Sequence, residues 1–127
     1  MVEKVSFHTE KAAELGGPYS QAVIYKDMIY ISGQGAVDPL TNQLKTGTIE
    51  KETKLALENI KIIMEAAGSS LDKILQVRVY LTDIREYARF NEVYRKYFKD
   101  PQPARTCVEV KKLPFGLRIE IDTVGYI

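Results

Sequence analysis

The chain has 127 residues, 45% hydrophobic and 28% charged, which bounds it to one globular domain able to bury a single core without staples. Lys plus Arg is 18 against 17 for Asp plus Glu, a net charge of +1 that argues against a polyanion-binding surface. One cysteine, Cys107, excludes an internal disulfide and one histidine, His8, a His-rich metal site, and together they weigh against catalysis by a Ser-His or Cys-His pair.

No apolar run approaches the roughly 20 residues that span a bilayer. The start, Met1 to Val5, lacks the apolar stretch of a secretory leader, so a reducing cytosol is the expected location. Gly16-Gly17-Pro18 closes an N-terminal segment. Val23-Ile24-Tyr25 and Met28-Ile29-Tyr30-Ile31 flank Lys26-Asp27, which predicts a hairpin, although Lys-Asp is not a favoured two-residue turn. Ser32-Gly33-Gln34-Gly35 follows directly. Its glycines either let a ligand approach backbone N–H groups or simply end the strand. Asp38-Pro39-Leu40-Thr41-Asn42 reads as a turn.

From Glu50 to Ala67 the residues Ala56, Leu57, Ile60, Ile63, Met64 and Ala67 form one apolar helical stripe. Glu50 and Glu52 suit the positive end of its dipole, and Gly68 supplies a stop. Lys73 to Leu81 alternates, with Val77, Val79 and Leu81 on one face and Gln76, Arg78 and Tyr80 on the other. A second helix begins at Asp83, which with Glu86 approximates a capping box. Its stripe runs Tyr87, Phe90, Asn91, Tyr94, Tyr97 and Phe98, with Asn91 the one non-aromatic member.

Two strands close the chain on either side of Pro114-Phe115-Gly116. From Arg105 to Lys111, Thr106, Val108 and Val110 point one way and Arg105, Cys107 and Glu109 the other. From Arg118 to Val124, Ile119 and Ile121 oppose Arg118, Glu120 and Asp122. The order predicts one α+β domain over residues 1–127, with two helices covering the sheet face of Val108, Val110, Ile119 and Ile121. The other face, with Arg105, Cys107 and Glu120, is then either solvated sheet or an interface between copies with charges gathered at a cleft.

Arg105 is a candidate fork for a carboxylate or phosphate, or the ion-pair partner of Glu120 or Glu109. Glu120, between two isoleucines, is a candidate carboxylate for orienting a water, or a neighbour's counter-ion. Cys107 has no group to activate it and reads as a half-buried wall residue. Asn91 either bonds a backbone group or meets a ligand. Tyr19 hangs over a cleft or fills it.

Taken together, Gly17-Pro18-Tyr19-Ser20-Gln21-Ala22, Ile31-Ser32-Gly33-Gln34, Glu65-Ala66-Ala67-Gly68 and Pro103-Ala104-Arg105-Thr106-Cys107-Val108-Glu109-Val110, followed by Leu113-Pro114 and Ile119-Glu120-Ile121, resemble the RidA family, also called YjgF/YER057c/UK114. The likeness spans nearly the whole chain in order. It implies a chorismate-mutase-like α+β fold, a six-stranded and mostly antiparallel sheet with two helices on one face. It also implies a homotrimer around a central β-barrel, with three clefts between subunits. The implied activity is metal-free and cofactor-free hydrolysis of 2-iminopropanoate and 2-iminobutanoate, with 2-aminoacrylate as source, to 2-oxo acid and ammonia. By the same resemblance Arg105 grips the substrate carboxylate, and Tyr19, Ser32, Gly33, Asn91, Cys107 and Glu120 are cleft residues. Small 2-imino acids are the expected partners, with no membrane and no nucleic acid. The competing expectations are an RNA-acting translation inhibitor or endoribonuclease, and a non-catalytic ligand-binding or chaperone-like trimer. Two stretches depart from the family pattern: Asp38 to Asn42 replaces the commoner Pro-x-Thr-Gly turn, and Phe115-Gly116-Leu117 follows the Leu-Pro, which leaves substrate size open.

Overall fold

The computed structural model describes residues 3–127, so Met1 and Val2, part of the stretch read for a leader, lie outside the described residues. Six strands form one sheet: β1 (Val5–Phe7), β2 (Ala22–Tyr25), β3 (Met28–Gln34), β4 (Ile74–Leu81), β5 (Ala104–Glu109) and β6 (Ile119–Tyr126). Their order is β1-β2-β3-β6-β4-β5, antiparallel throughout except for the parallel pair β4–β5. Two helices, α1 (Ile49–Ala66) and α2 (Tyr87–Tyr94), lie on one face. Among the described residues no helix is long and apolar enough to cross a membrane.

Helix α1 follows from its stripe. Leu57, Ile60, Ile63 and Met64 are fully buried against Ile29, Ile31, Val77, Val79, Ile119 and Ile121 of the sheet. Burial of that kind contributes roughly 1.5–3 kcal/mol per large aliphatic side chain. Thr48 caps the N-terminus, its hydroxyl accepting from Lys51 N at 3.3 Å, and Ser69 N donates back to Met64 O at 2.9 Å where the helix stops. The capping-box expectation at Asp83 is not met. Asp83 Oδ1 accepts from Arg85 N at 2.9 Å, opening a 3₁₀ turn over Ile84–Glu86, while the Glu86 carboxylate turns to Arg89 and Arg118. Two arginines outcompete a single backbone donor for that carboxylate.

One polar side chain ties the sequence-distant loops to α1. Asn59, fully buried, donates to Val37 O at 2.7 Å and to Leu55 O at 3.0 Å, and accepts from Ala13 N at 2.7 Å. Asn59→Ala would orphan two of these backbone groups in a dry setting. We expect a loss of about 2–4 kcal/mol in urea unfolding with an unchanged m-value.

The last two strands require a correction. Arg105 pairs with Val77 and Cys107 with Val79 in the parallel ladder, so both point to the helix-covered face. Thr106 and Val108 point to the open face, where Val108 is exposed. Alternation tells which residues share a face, not which face it is, and this edge strand is apolar on its outer side as well. Glu120 does lie on the open face, opposite Tyr80. Moreover β4 runs between β5 and β6, so Arg105 and Glu120 are on neither adjacent strands nor the same face.

Candidate active site

On the open face, Glu120 owes its position to the pairing of β3 with β6. Ile31 pairs with Thr123 but Gln34 with Ile121, so one extra residue is accommodated at Ser32-Gly33 as a bulge. Bulges of this kind re-aim side chains and recur beside active sites. The strand therefore does not end at Gly33. The Glu120 carboxylate lies on this glycine: a Cβ there would stand 2.7 Å from Glu120 Cδ, so any other residue displaces the carboxylate from its place. Ser32 Oγ donates to Ser20 O at 2.6 Å, tying the bulge to the loop that carries Tyr19.

The Glu120 carboxylate has no hydrogen-bond or ion-pair partner among the described residues. Burial pushes its pKa above the ordinary carboxylate value, and the charge of Asp122 adds to the shift. Asp122, by contrast, is satisfied. It accepts from Arg78 Nε at 2.7 Å and from Tyr80 OH at 3.0 Å. A hollow of about 600 Å³ covers Glu120 and Gly33, and Tyr19, Tyr30, Arg78 and Phe115 also line it. Tyr19 and Phe115 are 58% and 62% exposed at its rim. Phe115 takes φ 62° and ψ 19°, a left-handed conformation that costs a bulky residue about 1–3 kcal/mol.

Arg105 occupies a separate place under α2. Its guanidinium carbon stands 4.6 Å from the Tyr94 ring centroid, 5.2 Å from Phe90 and 5.5 Å from Tyr87, and Nη2 donates to Tyr87 OH at 2.7 Å. Neither Glu109 nor Glu120 pairs with it; Glu109 instead accepts from Ile84 N at 2.9 Å. Three aromatic rings within 5.5 Å hold the cation, and no carboxylate pairs with it among the described residues. Burial drives the Tyr94 phenol up to about 12, against the pull of the Arg105 charge, so it stays protonated at neutral pH. Asn91, one helical turn before Arg95, lines a shallow opening with Tyr94, Gln102 and Arg105.

Cys107 shares the Arg105 face and touches the core. Burial raises its thiol pKa, only partly offset by Arg105, so the neutral thiol dominates and the residue is a wall rather than a nucleophile. Among the described residues no cluster of His, Cys, Asp and Glu is able to hold a metal ion.

One chain thus presents two half-sites on opposite sides of its sheet. Tyr19, Ser32, Gly33 and Glu120 gather at the first; Arg105, Asn91 and, along the same face of β5, Cys107 belong to the second. Sequence reasoning misses the aromatic cradle of Arg105, although Tyr87, Phe90 and Tyr94 fall on one helical stripe. It also misses the Arg78–Asp122–Tyr80 cluster, whose signal is two alternating strands each with polar residues on one face.

A sheet antiparallel but for one edge pair, with two helices on one face, makes this a small α+β protein. The chain belongs to the RidA family: the sequence model described as Endoribonuclease L-PSP matches residues 9–127. It is 45% identical to human 2-iminobutanoate/2-iminopropanoate deaminase over 117 residues, 92% of this chain and 85% of the human one. Among solved structures it is similar to RidA from the Antarctic bacterium Psychrobacter sp., at 41% identity and TM-score 0.91, covering 97% of this chain and 99% of that one. It is similar also to TdcF of E. coli with bound serine, at 35% identity and TM-score 0.88, covering 97% and 98%. The family and the α+β fold expected from the sequence are therefore both found.

Proposed function

We propose that the protein hydrolyses 2-imino acids, 2-iminopropanoate and 2-iminobutanoate among them, to 2-oxo acid and ammonia. The reaction takes place in clefts where the Arg105 half-site of one copy meets the Glu120 half-site of another. The observation that carries this reading is complementary incompleteness: a ring-held guanidinium without a carboxylate and a half-buried carboxylate without a cation, on opposite faces of one sheet. A closed ring of copies joins such faces pairwise, and a homotrimer is the assembly we assign. The exposed Tyr25, Tyr30, Val108 and Tyr126 give the open face apolar area to bury in that contact. The human relative's name and the serine bound by TdcF support a small amino- or imino-acid ligand.

The chemistry needs only these groups. Arg105 holds the substrate carboxylate through paired donors and fixes the C=N carbon, with Asn91 beside it and the backbone N–H of Gly33 opposite. Glu120 takes a proton from water as the water oxygen adds to that carbon. The imine nitrogen receives that proton to give a carbinolamine, the carbinolamine hydroxyl gives up its proton and the nitrogen takes a second one, and the C–N bond breaks to release ammonia as the C=O bond forms. Each water consumed supplies the oxygen of the oxo acid. 2-Aminoacrylate is drawn in through its tautomer, 2-iminopropanoate.

A net charge of +1 and the absence of a basic stripe weigh against an RNA-acting role. The test couples a PLP-dependent threonine or serine dehydratase to this protein and follows free 2-oxo acid. Faster release than the dehydratase alone gives is expected; an unchanged rate with occupancy of the cleft by 2-oxo acid would instead favour a ligand-binding trimer.

A further inference from the structure

We propose that Phe115 makes this site prefer 2-imino acids with a large apolar side chain, aromatic ones foremost, over those of three and four carbons. The inference rests on the function proposed above and names its substrate class. Phe115 is held at φ 62°, where glycine sits at ease and a bulky residue is an outlier, and Gly116 beside it takes φ 70°. The ring does nothing for the core, since it is 62% exposed. A strained, exposed aromatic that does not serve folding points to what it meets outside the chain. What it faces is the hollow over Glu120 and Gly33, with the 58% exposed Tyr19 as the other aromatic of the rim. Two rings at the rim of this hollow suit a flat apolar group by stacking. With the carboxylate fixed at Arg105 and the reacting carbon at Glu120, the side chain is the part of the substrate left to meet them.

The test generates imines in place with D-amino-acid oxidase, from D-alanine and from D-phenylalanine, the imine carbon being planar in both. The wild-type protein is expected to show the higher kcat/KM on the phenylalanine-derived imine. In Phe115→Gly, and equally in Phe115→Asn, that preference is expected to fall about three- to tenfold, mostly through KM, as expected for one lost aromatic contact. Thermal stability is expected to hold, because both replacements accept the left-handed backbone. An unchanged preference overturns the inference, as does dissociation of the oligomer with a lowered Tm, which would make the ring a contact between copies. Wild-type hydrolysis of the alanine-derived imine alone also overturns it while leaving the proposed function standing. Failure on both imines overturns the two together.

Discussion

Arg105→Ala is expected to lower kcat/KM for imine hydrolysis a hundredfold or more. The substitution removes both arms of a carboxylate fork, and charge-assisted hydrogen bonds are worth about 1.5–3 kcal/mol each. Arg105→Lys is the sharper variant. Lysine keeps the charge but has neither the paired donors nor the planar guanidinium, whose carbon lies 4.6 Å from the Tyr94 ring centroid. A tenfold or greater loss is expected there too, with KM raised, because the carboxylate is bound in ground and transition states alike. Both variants should fold, since the guanidinium is a partly exposed edge-strand group and its cage of Tyr87, Phe90 and Tyr94 is anchored independently on α2. Near-full activity of the lysine variant would remove the carboxylate clamp from the account.

The second large effect falls on the opposite face. Glu120→Gln keeps the shape of the side chain over Gly33 but cannot take a proton, so kcat should drop about a hundredfold to ten-thousandfold with KM little changed. In the wild type the carboxylate form is the working one. Its pKa lies above the ordinary 4.5, from burial first and Asp122 second, so activity should fall on acidification through a limb above that value. Asp122→Asn removes the neighbouring negative charge and frees Arg78, both of which favour ionised Glu120. The acid limb should therefore move to lower pH. The stability sign runs the other way: a carboxyl with a raised folded pKa binds its proton more tightly folded than unfolded, so it loses folding free energy as pH rises through that window. Glu120→Gln should hence not lower Tm at neutral pH, which separates lost chemistry from lost fold.

Much of the architecture was legible from periodicity. The α1 stripe and the Val77-Val79-Leu81 face were readable because a buried face imposes a strict period on its residues. The Ile119-Ile121 pair and the solvent side of Glu120 followed for the same reason. Harder to read was the edge. Strand β5 carries Thr106 and Val108 outward and Arg105 and Cys107 inward, the reverse of what side-chain polarity suggests. Its inward arginine is admitted because three aromatic rings from α2 lie over it, a contact across the fold that no local pattern encodes. The interposition of β4 between β5 and β6 is likewise a matter of topology, set by a parallel pairing that neither strand announces. Gly33 was singled out as a place of close approach. That the approaching group is Glu120 itself, through a bulge, depended on register.

The claim that both half-sites act together across a boundary between copies has a direct measurement. Arg105→Ala and Glu120→Gln proteins, each inactive alone, are unfolded together in equal amounts, refolded and assayed for imine hydrolysis. Random mixing in a trimer leaves about one cleft in four with an intact arginine from one copy and an intact glutamate from its neighbour, so about a quarter of wild-type activity should return. Mixed protein that stays as inactive as either parent, while running as an assembled oligomer, would contradict the shared site.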